Sequence, residues 1–287
     1  ILFLFYSIPA YSQDTTDVDD STDVNDSTDV TPRDFFPDTT YQVGVHPHVV
    51  TNADIDNDGD VDLVVSNWYS YYITVFRNSG DGTFLPRIDI PTLGQATYVM
   101  TTDIDGDSDI DFVVASANYP SGGQGSITIM KNNGYGIFSN PYGYYVSSSA
   151  STVCAADVDL DGDMDLAVSN WYDNSVTLFY NTGNGMFERG LDYVCGSFPY
   201  EVIAADFTGD RKIDLATANT EYGSGSGSVT ILKNTGTGTF EYFATVATGA
   251  FPQALVAADI DNDVDKDLIV PNRDGDNVSV FKNDGTG

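Results

Sequence analysis

A nine-residue acidic stretch that recurs five times constrains this chain more than any other feature. The first copy, Asp54-Ile55-Asp56-Asn57-Asp58-Gly59-Asp60-Val61-Asp62, sets a carboxylate on every second residue and runs straight into the apolar Leu63-Val64-Val65. Further copies occupy 103–111, 157–165, 206–214 and 259–267. Each leads into an apolar run, so the chain is a tandem repeat in which one local structure is built five times.

Carboxylates at positions 1, 3, 5 and 9, with the main-chain carbonyl of position 7, can converge on a hard cation that takes six to eight oxygens at about 2.3–2.6 Å. The expected calcium ligands are Asp54, Asp56, Asp58, Asp60 and Asp62 in the first loop, then Asp103, Asp105, Asp107, Asp109 and Asp111 in the second. The third loop supplies Asp157, Asp159, Asp161, Asp163 and Asp165, and the fifth Asp259, Asp261, Asp263, Asp265 and Asp267. In every loop, position 7 contributes its carbonyl. The fourth loop is degenerate: Asp206, Thr208, Asp210, Lys212 and Asp214 keep three acids, and Arg211 and Lys212 bring positive charge. Four calcium sites and a weaker fifth are therefore expected. Position 12 is Val65, Val114, Val168, Thr217 or Val270 rather than an acid, so these are loops within β-structure and not EF-hands. Magnesium, which prefers a rigid octahedron and retained waters, fits poorly. Solvated acidic turns are the plainer alternative, but four or five carboxylates within nine residues repel one another unless something neutralises them. Val264 at position 6 of the last loop is ill suited to a turn that needs positive φ.

The loops carry 23 of the 43 acidic residues, against 11 basic ones, and account for much of the formal charge of −32. Such a surface excludes nucleic acid and anionic membrane as partners. Residues 1–13 read as part of a secretory signal peptide, apolar but too short to span a bilayer. Residues 14–33, with two copies of Asp-Ser-Thr-Asp-Val, read as an acidic low-complexity linker. A secreted or cell-surface location follows, where calcium is abundant enough for weak sites. Cys154 and Cys195 are expected either as a disulfide or as two small buried thiols.

From residue 34 to 287 the register is strict. The first Asp residues of successive loops stand 49, 54, 49 and 53 apart. Phe84, Phe138, Phe187 and Phe240 each lie 19 residues before the next loop, and Ile73, Ile127, Val176 and Val229 lie 30 before it. Length variation is thus confined to one connection per repeat. Each repeat reads as four strands. Strand A (Val49-Val50) precedes the acidic loop and strand B (Leu63-Val64-Val65) follows it. Strand C (Ile73-Thr74-Val75-Phe76) ends in an Asn-x-Gly-x-Gly turn, and strand D opens on the Phe.

The Asp-x-Asp-x-Asp-Gly-Asp-x-Asp-Leu loop and the Asn-x-Gly-x-Gly-x-Phe turn resemble the FG-GAP / VCBS repeat family, related to integrin α subunits. That resemblance implies an all-β fold, a β-propeller of four-stranded antiparallel blades, with calcium on one face and ligands on the other. Five repeats are present. Taken literally, they make a five-bladed ring in which a strand at 35–43 completes the last blade beside Val278–Phe281. The alternative is a piece of a six- to eight-bladed propeller.

The connections from strand B to strand C fall on the face away from the acidic loops. They hold Trp68, Tyr69, Tyr72, Tyr119, Trp171, Tyr172 and Tyr222. Aromatic rings beside small polar residues suit a sugar or a protein surface. Trp68 and Trp171, in identical register, would serve equally as wedges between neighbouring repeats. No catalytic set emerges: His46 and His48 flank Pro47 in what reads as a turn, and Asp173, Glu201 and Glu221 are the only acids of note outside the loops. The expected function is a non-enzymatic adhesion or recognition module for extracellular glycan or protein. The alternative is an architectural or accessory part of a larger polysaccharide-acting enzyme.

Overall fold

The computed structural model describes residues 39–118 and 123–285. The chain divides into two units, Ile1–Tyr41 and Gln42–Gly287, and the strands among the described residues lie in the second. The signal peptide and linker expected at 1–33 lie outside the described residues.

Among the described residues, five separate antiparallel sheets form, one per repeat. Sheet 1 comprises β1 (Pro47–Ala53), β2 (Asp62–Asn67), β3 (Tyr72–Phe76) and β4 (Ile88–Pro91). Sheet 2 comprises β5 (Gln95–Thr102), β6 (Asp111–Ala117), β7 (Ser126–Met130) and β8 (Tyr142–Tyr145). Sheet 3 holds β9 (Ala150–Ala156), β10 (Asp165–Asn170), β11 (Ser175–Asn181) and β12 (Phe187–Val194). Sheet 4 holds β13 (Pro199–Ala205), β14 (Asp214–Asn219), β15 (Gly227–Asn234) and β16 (Phe240–Thr248). Sheet 5 has three strands, β17 (Val256–Ala258), β18 (Asp267–Asn272) and β19 (Asn277–Phe281).

The second strand of each sheet is apolar on both faces because both faces are covered: β6, β10 and β14 are buried along their whole length. The fourth strand is the wet edge, as in β12, where solvent reaches most side chains. The interior is a series of four layers, each between consecutive sheets. Position 2 of the first four acidic loops is a plug for the next layer. Ile55, Ile104, Val158 and Phe207 are at most 2% exposed, packed among residues of the following sheet. Ile260, in the same place in the fifth loop, is 41% exposed, since no described sheet follows it.

The closed propeller expected from the sequence is not formed. Among the described residues no sheet closes the array: each is separate, and β19 pairs only with β18. The strand expected at 35–43 falls largely outside the described residues, and 39–43 make no ladder. The outer edge of sheet 5 accordingly shows Val278 at 57% and Val280 at 52% exposure. Closure requires the two chain ends to pair, and a matching register does not by itself supply the ladder hydrogen bonds.

Strand D opens on Phe in repeats 3 and 4, where β12 begins at Phe187 and β16 at Phe240. In repeats 1 and 2 it starts later, at Ile88 and Tyr142. Pro86 and Pro141 lie between Phe and strand there, and proline has no N–H to give the ladder. Both cysteine thiols are free, with burial pushing each up to about 12, so they are inert packing groups.

Candidate functional site

Each acidic loop is wound by its own carboxylates. The position 1 side chain accepts hydrogen bonds from main-chain N–H groups further along: Gly59 to Asp54 at 2.9 Å, Ser108 to Asp103 at 2.9 Å, Val264 to Asp259 at 3.0 Å. Position 5 accepts from the N–H of position 7, for example Asp60 to Asp58 at 2.9 Å. Position 6 must then take a left-handed φ: +94° at Gly59, +99° at Gly162 and +84° at Val264. A β-branched residue is strained there. Val264 is also 82% exposed, so its side chain contributes little burial. Val264→Gly should stabilise the chain by about 1 kcal/mol, measured by denaturant unfolding in calcium.

In four loops the donor atoms of three acids lie within 4.8 Å of one another: Asp54, Asp56 and Asp58; Asp103, Asp105 and Asp111; Asp157, Asp159 and Asp165; Asp259, Asp261 and Asp263. These clusters can coordinate a metal ion. A cation from the end of strand C touches position 3 in three of them, Arg77 to Asp56 at 3.4 Å, Lys131 to Asp105 at 3.3 Å and Lys282 to Asp261 at 3.1 Å. Even so, Asp56 Oδ1 and Asp105 Oδ1 are buried without a partner. An unpaired buried carboxylate oxygen costs free energy that an oxygen-seeking cation would recover. The donor set therefore fits calcium.

The Asp206 loop forms no such cluster among the described residues. Lys212 Nζ and Lys233 Nζ stand 3.3 and 3.2 Å from Asp210 Oδ2, so two ammonium groups supply the positive charge, and Asp210 is held below the usual carboxylate range. The weaker fifth site is replaced by a built-in ion pair network.

Position 9 has a second role that its spacing did not reveal. Asp62, Asp111, Asp165, Asp214 and Asp267 are at most 1% exposed. In each, Oδ2 accepts from the N–H of position 2 (Ile55 to Asp62, 3.0 Å) and Oδ1 from the N–H of the turn Asn (Asn78 to Asp62, 2.7 Å). Burial, helped by neighbouring carboxylates, pushes Asp111 and Asp165 up to about 6. The turn Asn then links repeats. Asn181 Nδ2 donates to Met164 O in its own repeat at 3.1 Å and to Ile104 O in the preceding one at 2.9 Å. Asn132, Asn234 and Asn283 do the same.

At the opposite end of the sheets lies a cavity of about 510 Å³. Of the residues expected there, Trp68, Tyr69, Trp171, Tyr172 and Tyr222 line it. Tyr72 does not, being the first residue of β3 paired with Pro91, and Tyr119 lies outside the described residues. Trp68 meets His48 edge-on at 4.8 Å, and Trp171 meets Tyr200 and Phe198 at 5.6 Å each. The chain of rings continues from Phe198 through Tyr222 to Phe251, over which the Arg273 guanidinium stacks at 3.7 Å. His46, Phe198 and Phe251, in the same register of repeats 1, 4 and 5, hold left-handed φ of 53°, 55° and 58°.

His48 is the residue that sequence reasoning missed. It belongs to β1 rather than to a turn. Its Nδ1–H donates to the Thr97 carbonyl at 2.7 Å, so in the neutral ring Nε2 accepts from the Tyr200 hydroxyl at 2.8 Å. Burial pushes Tyr200 up to about 12, keeping it a donor. Repeat 1 is thereby tied to repeat 4 across the cavity. The signal was available, because His48 and Tyr200 stand at the same distance before their acidic loops.

Neither Glu201 nor Glu221 is presented for catalysis. The Glu201 carboxylate accepts from the Leu255 N–H, and Glu221 accepts from the Ser228 hydroxyl at 2.8 Å. Burial pushes Glu201 up to about 7. A folded-state value above the ordinary 4.5 means that stability falls as pH rises from about 4.5 to 7 and the penalty stays above that. Glu201→Gln keeps an acceptor for Leu255. It should be more stable than the parent by about 2–3 kcal/mol at pH 8 and gain almost nothing at pH 4.5. Parallel urea titrations at the two values test this, and a pH-independent gap would refute it.

The FG-GAP-like repeat profile matches residues 54–114, 103–168, 157–217 and 206–270. The chain belongs to the FG-GAP-like repeat family. Each match runs from one acidic loop into the strand after the next loop, so the family unit contains the loop and the turn, whereas each inter-repeat Asn link reaches beyond a single match. Among its described residues this FG-GAP-like domain shows no catalytic architecture. No curated protein matches. Among solved structures, an Agrocybe aegerita lectin, described as recognising non-reducing terminal N-acetylglucosamine, aligns at 19% identity and TM-score 0.50. That alignment covers 84% of this chain and 67% of the lectin. A functionally unknown Desulfotomaculum acetoxidans protein aligns at 15% identity and TM-score 0.58, covering 84% and 71%. BBS1N, solved in complex with ARL6DN, aligns at 14% and 0.53, covering 83% and 69%. At these identities the likeness is one of fold. No helix among the described residues is long and apolar enough to cross a membrane.

Proposed function

We propose that this FG-GAP-like domain is a calcium-stabilised recognition module of an extracellular protein, binding glycan through the aromatic cavity. The metal loops and the cavity lie at opposite ends of the same strands, so one end would set the scaffold and the other would meet the ligand. The observation that carries the reading is the cavity itself. Both tryptophans of the chain line it, and its volume falls within the usual range for small-molecule sites. Rings with exposed faces suit the C–H face of a sugar, and the likeness of fold to a lectin supports the same direction.

A glycan array probed with the calcium-loaded chain, and repeated with Trp68→Ala and Trp171→Ala, tests it. Binding to a defined glycan set that both substitutions abolish is the expected result. Binding that survives both, or a protein ligand captured in place of any glycan, would overturn it.

A further inference from the structure

We propose that the cavity is one slot for a single uncharged pyranose ring, opened in repeats 2 and 3 by small side chains. The inference rests on the glycan reading and makes it specific. Counting from the first Asp of each loop, the position fourteen residues on is Trp68, Ala117, Trp171, Thr220 and Arg273 in the five repeats. Eight residues before the loop stand His46, Gln95, Ser149, Phe198 and Phe251. Repeats 1 and 5 hold a ring or a guanidinium in both registers and repeat 4 holds Phe198 in one, while Ala117 and Ser149 leave space beside Trp68 and Trp171. The repeats are alike at their metal end and unlike here. The arrangement makes one site per chain and not one per repeat.

The chemistry of the occupant follows from what is left unsatisfied. Trp68 Nε1 and Ser149 Oγ are buried and have no hydrogen-bond partner, and Ser149 is only 5% exposed. Both groups line this cavity. An indole N–H can only donate and a serine hydroxyl can donate or accept, so the missing partner carries acceptor oxygen. To meet such an oxygen Ser149 would rotate about χ1 and the indole would tilt. Among the described residues no Asp, Glu, Lys or Arg lines the cavity, and its one ionisable ring, His48, is already engaged by Thr97 and Tyr200, so no fixed charge there balances a charged ligand. A quaternary ammonium would suit the rings but would leave both donors unpaired. A neutral pyranose supplies an apolar face for the aromatic walls and hydroxyl or acetamido oxygens at its rim.

The test titrates the full chain in calcium with the methyl glycosides of glucose, galactose, mannose and N-acetylglucosamine, with glucuronate and choline as charged controls. Tryptophan emission and saturation-transfer NMR report binding. At least one neutral glycoside should bind with a one-site isotherm, and the charged probes should not. Ala117→Trp, a residue that repeats 1 and 3 already accommodate in this register, should abolish binding without lowering Tm. Ser149→Ala should weaken binding about fivefold to tenfold. It should leave Tm unchanged, since the hydroxyl has no protein partner to lose. Should Ala117→Trp fail to fold, Ser149→Ala decides. Retained affinity in the variants, or preference for a charged probe, overturns the slot while array binding leaves the glycan reading standing. No glycan bound in either assay overturns both.

Discussion

Chelating calcium should unfold this domain or lower its Tm by on the order of 20 °C. In each of four loops, three carboxylates hold donor atoms within 4.8 Å of one another. Like charges at that separation, in a partly desolvated loop, repel by about 3 kcal/mol a pair at an effective dielectric near 20. An ion present at a hundred times its Kd contributes about 2.7 kcal/mol to stability. Four such ions together would match the whole stability of an ordinary domain, about 5–15 kcal/mol. The loops also carry the position 2 plugs of the interior layers, so an opened loop exposes core. Near-UV dichroism and calorimetry with and without EDTA measure the effect, and Asp54→Ala or Asp157→Ala should each remove about a quarter of it. A melting curve that ignores excess EDTA would count against bound calcium.

Repetition made the local structure legible. One Asp-rich loop is ambiguous, but five in register placed strands A, B and C of the first repeat at Val49-Val50, Leu63-Val64-Val65 and Ile73-Thr74-Val75-Phe76, within the strands that form there. The start of strand D slipped in repeats 1 and 2 because Pro86 and Pro141 were not weighed against the Phe landmark. Closure was misread for a different reason. It depends on pairing between ends of the chain, and register shows only that two segments could match. The cavity was half legible. Trp68 and Trp171 drew notice as aromatic residues, whereas Ala117 and Ser149 create the space and send no positive signal unless repeats are compared position by position. The Asn links were hidden by distance. Asn132 Nδ2 reaches Ile55 O across 77 residues, and a turn motif read locally does not disclose a partner in the preceding repeat.

Asp214→Ala should destabilise the domain by about 3 kcal/mol or more, whereas Asp206→Ala, in the same loop, should cost under about 1 kcal/mol. This loop has no three-acid cluster, so the contrast separates the structural role of position 9 from metal binding. Asp214 is fully buried and receives three main-chain hydrogen bonds, from Asn234 at 2.8 Å, Phe207 at 3.1 Å and Thr208 at 3.0 Å. Removing the carboxylate leaves buried N–H groups unpaired and loosens the turn whose Asn234 amide also holds Val158 O of the preceding repeat. Asp206, by contrast, makes one hydrogen bond of this kind, from the exposed Arg211 N–H at 2.7 Å, and its Oδ1 has no partner to lose. The loss at Asp214 should be the same in calcium and in EDTA wherever the parent remains folded. At Asp165, where position 9 belongs to a three-acid cluster, the loss should be larger in calcium. Equal small costs at Asp206 and Asp214 would mean that position 9 needs an ion to matter, and the staple reading would fail.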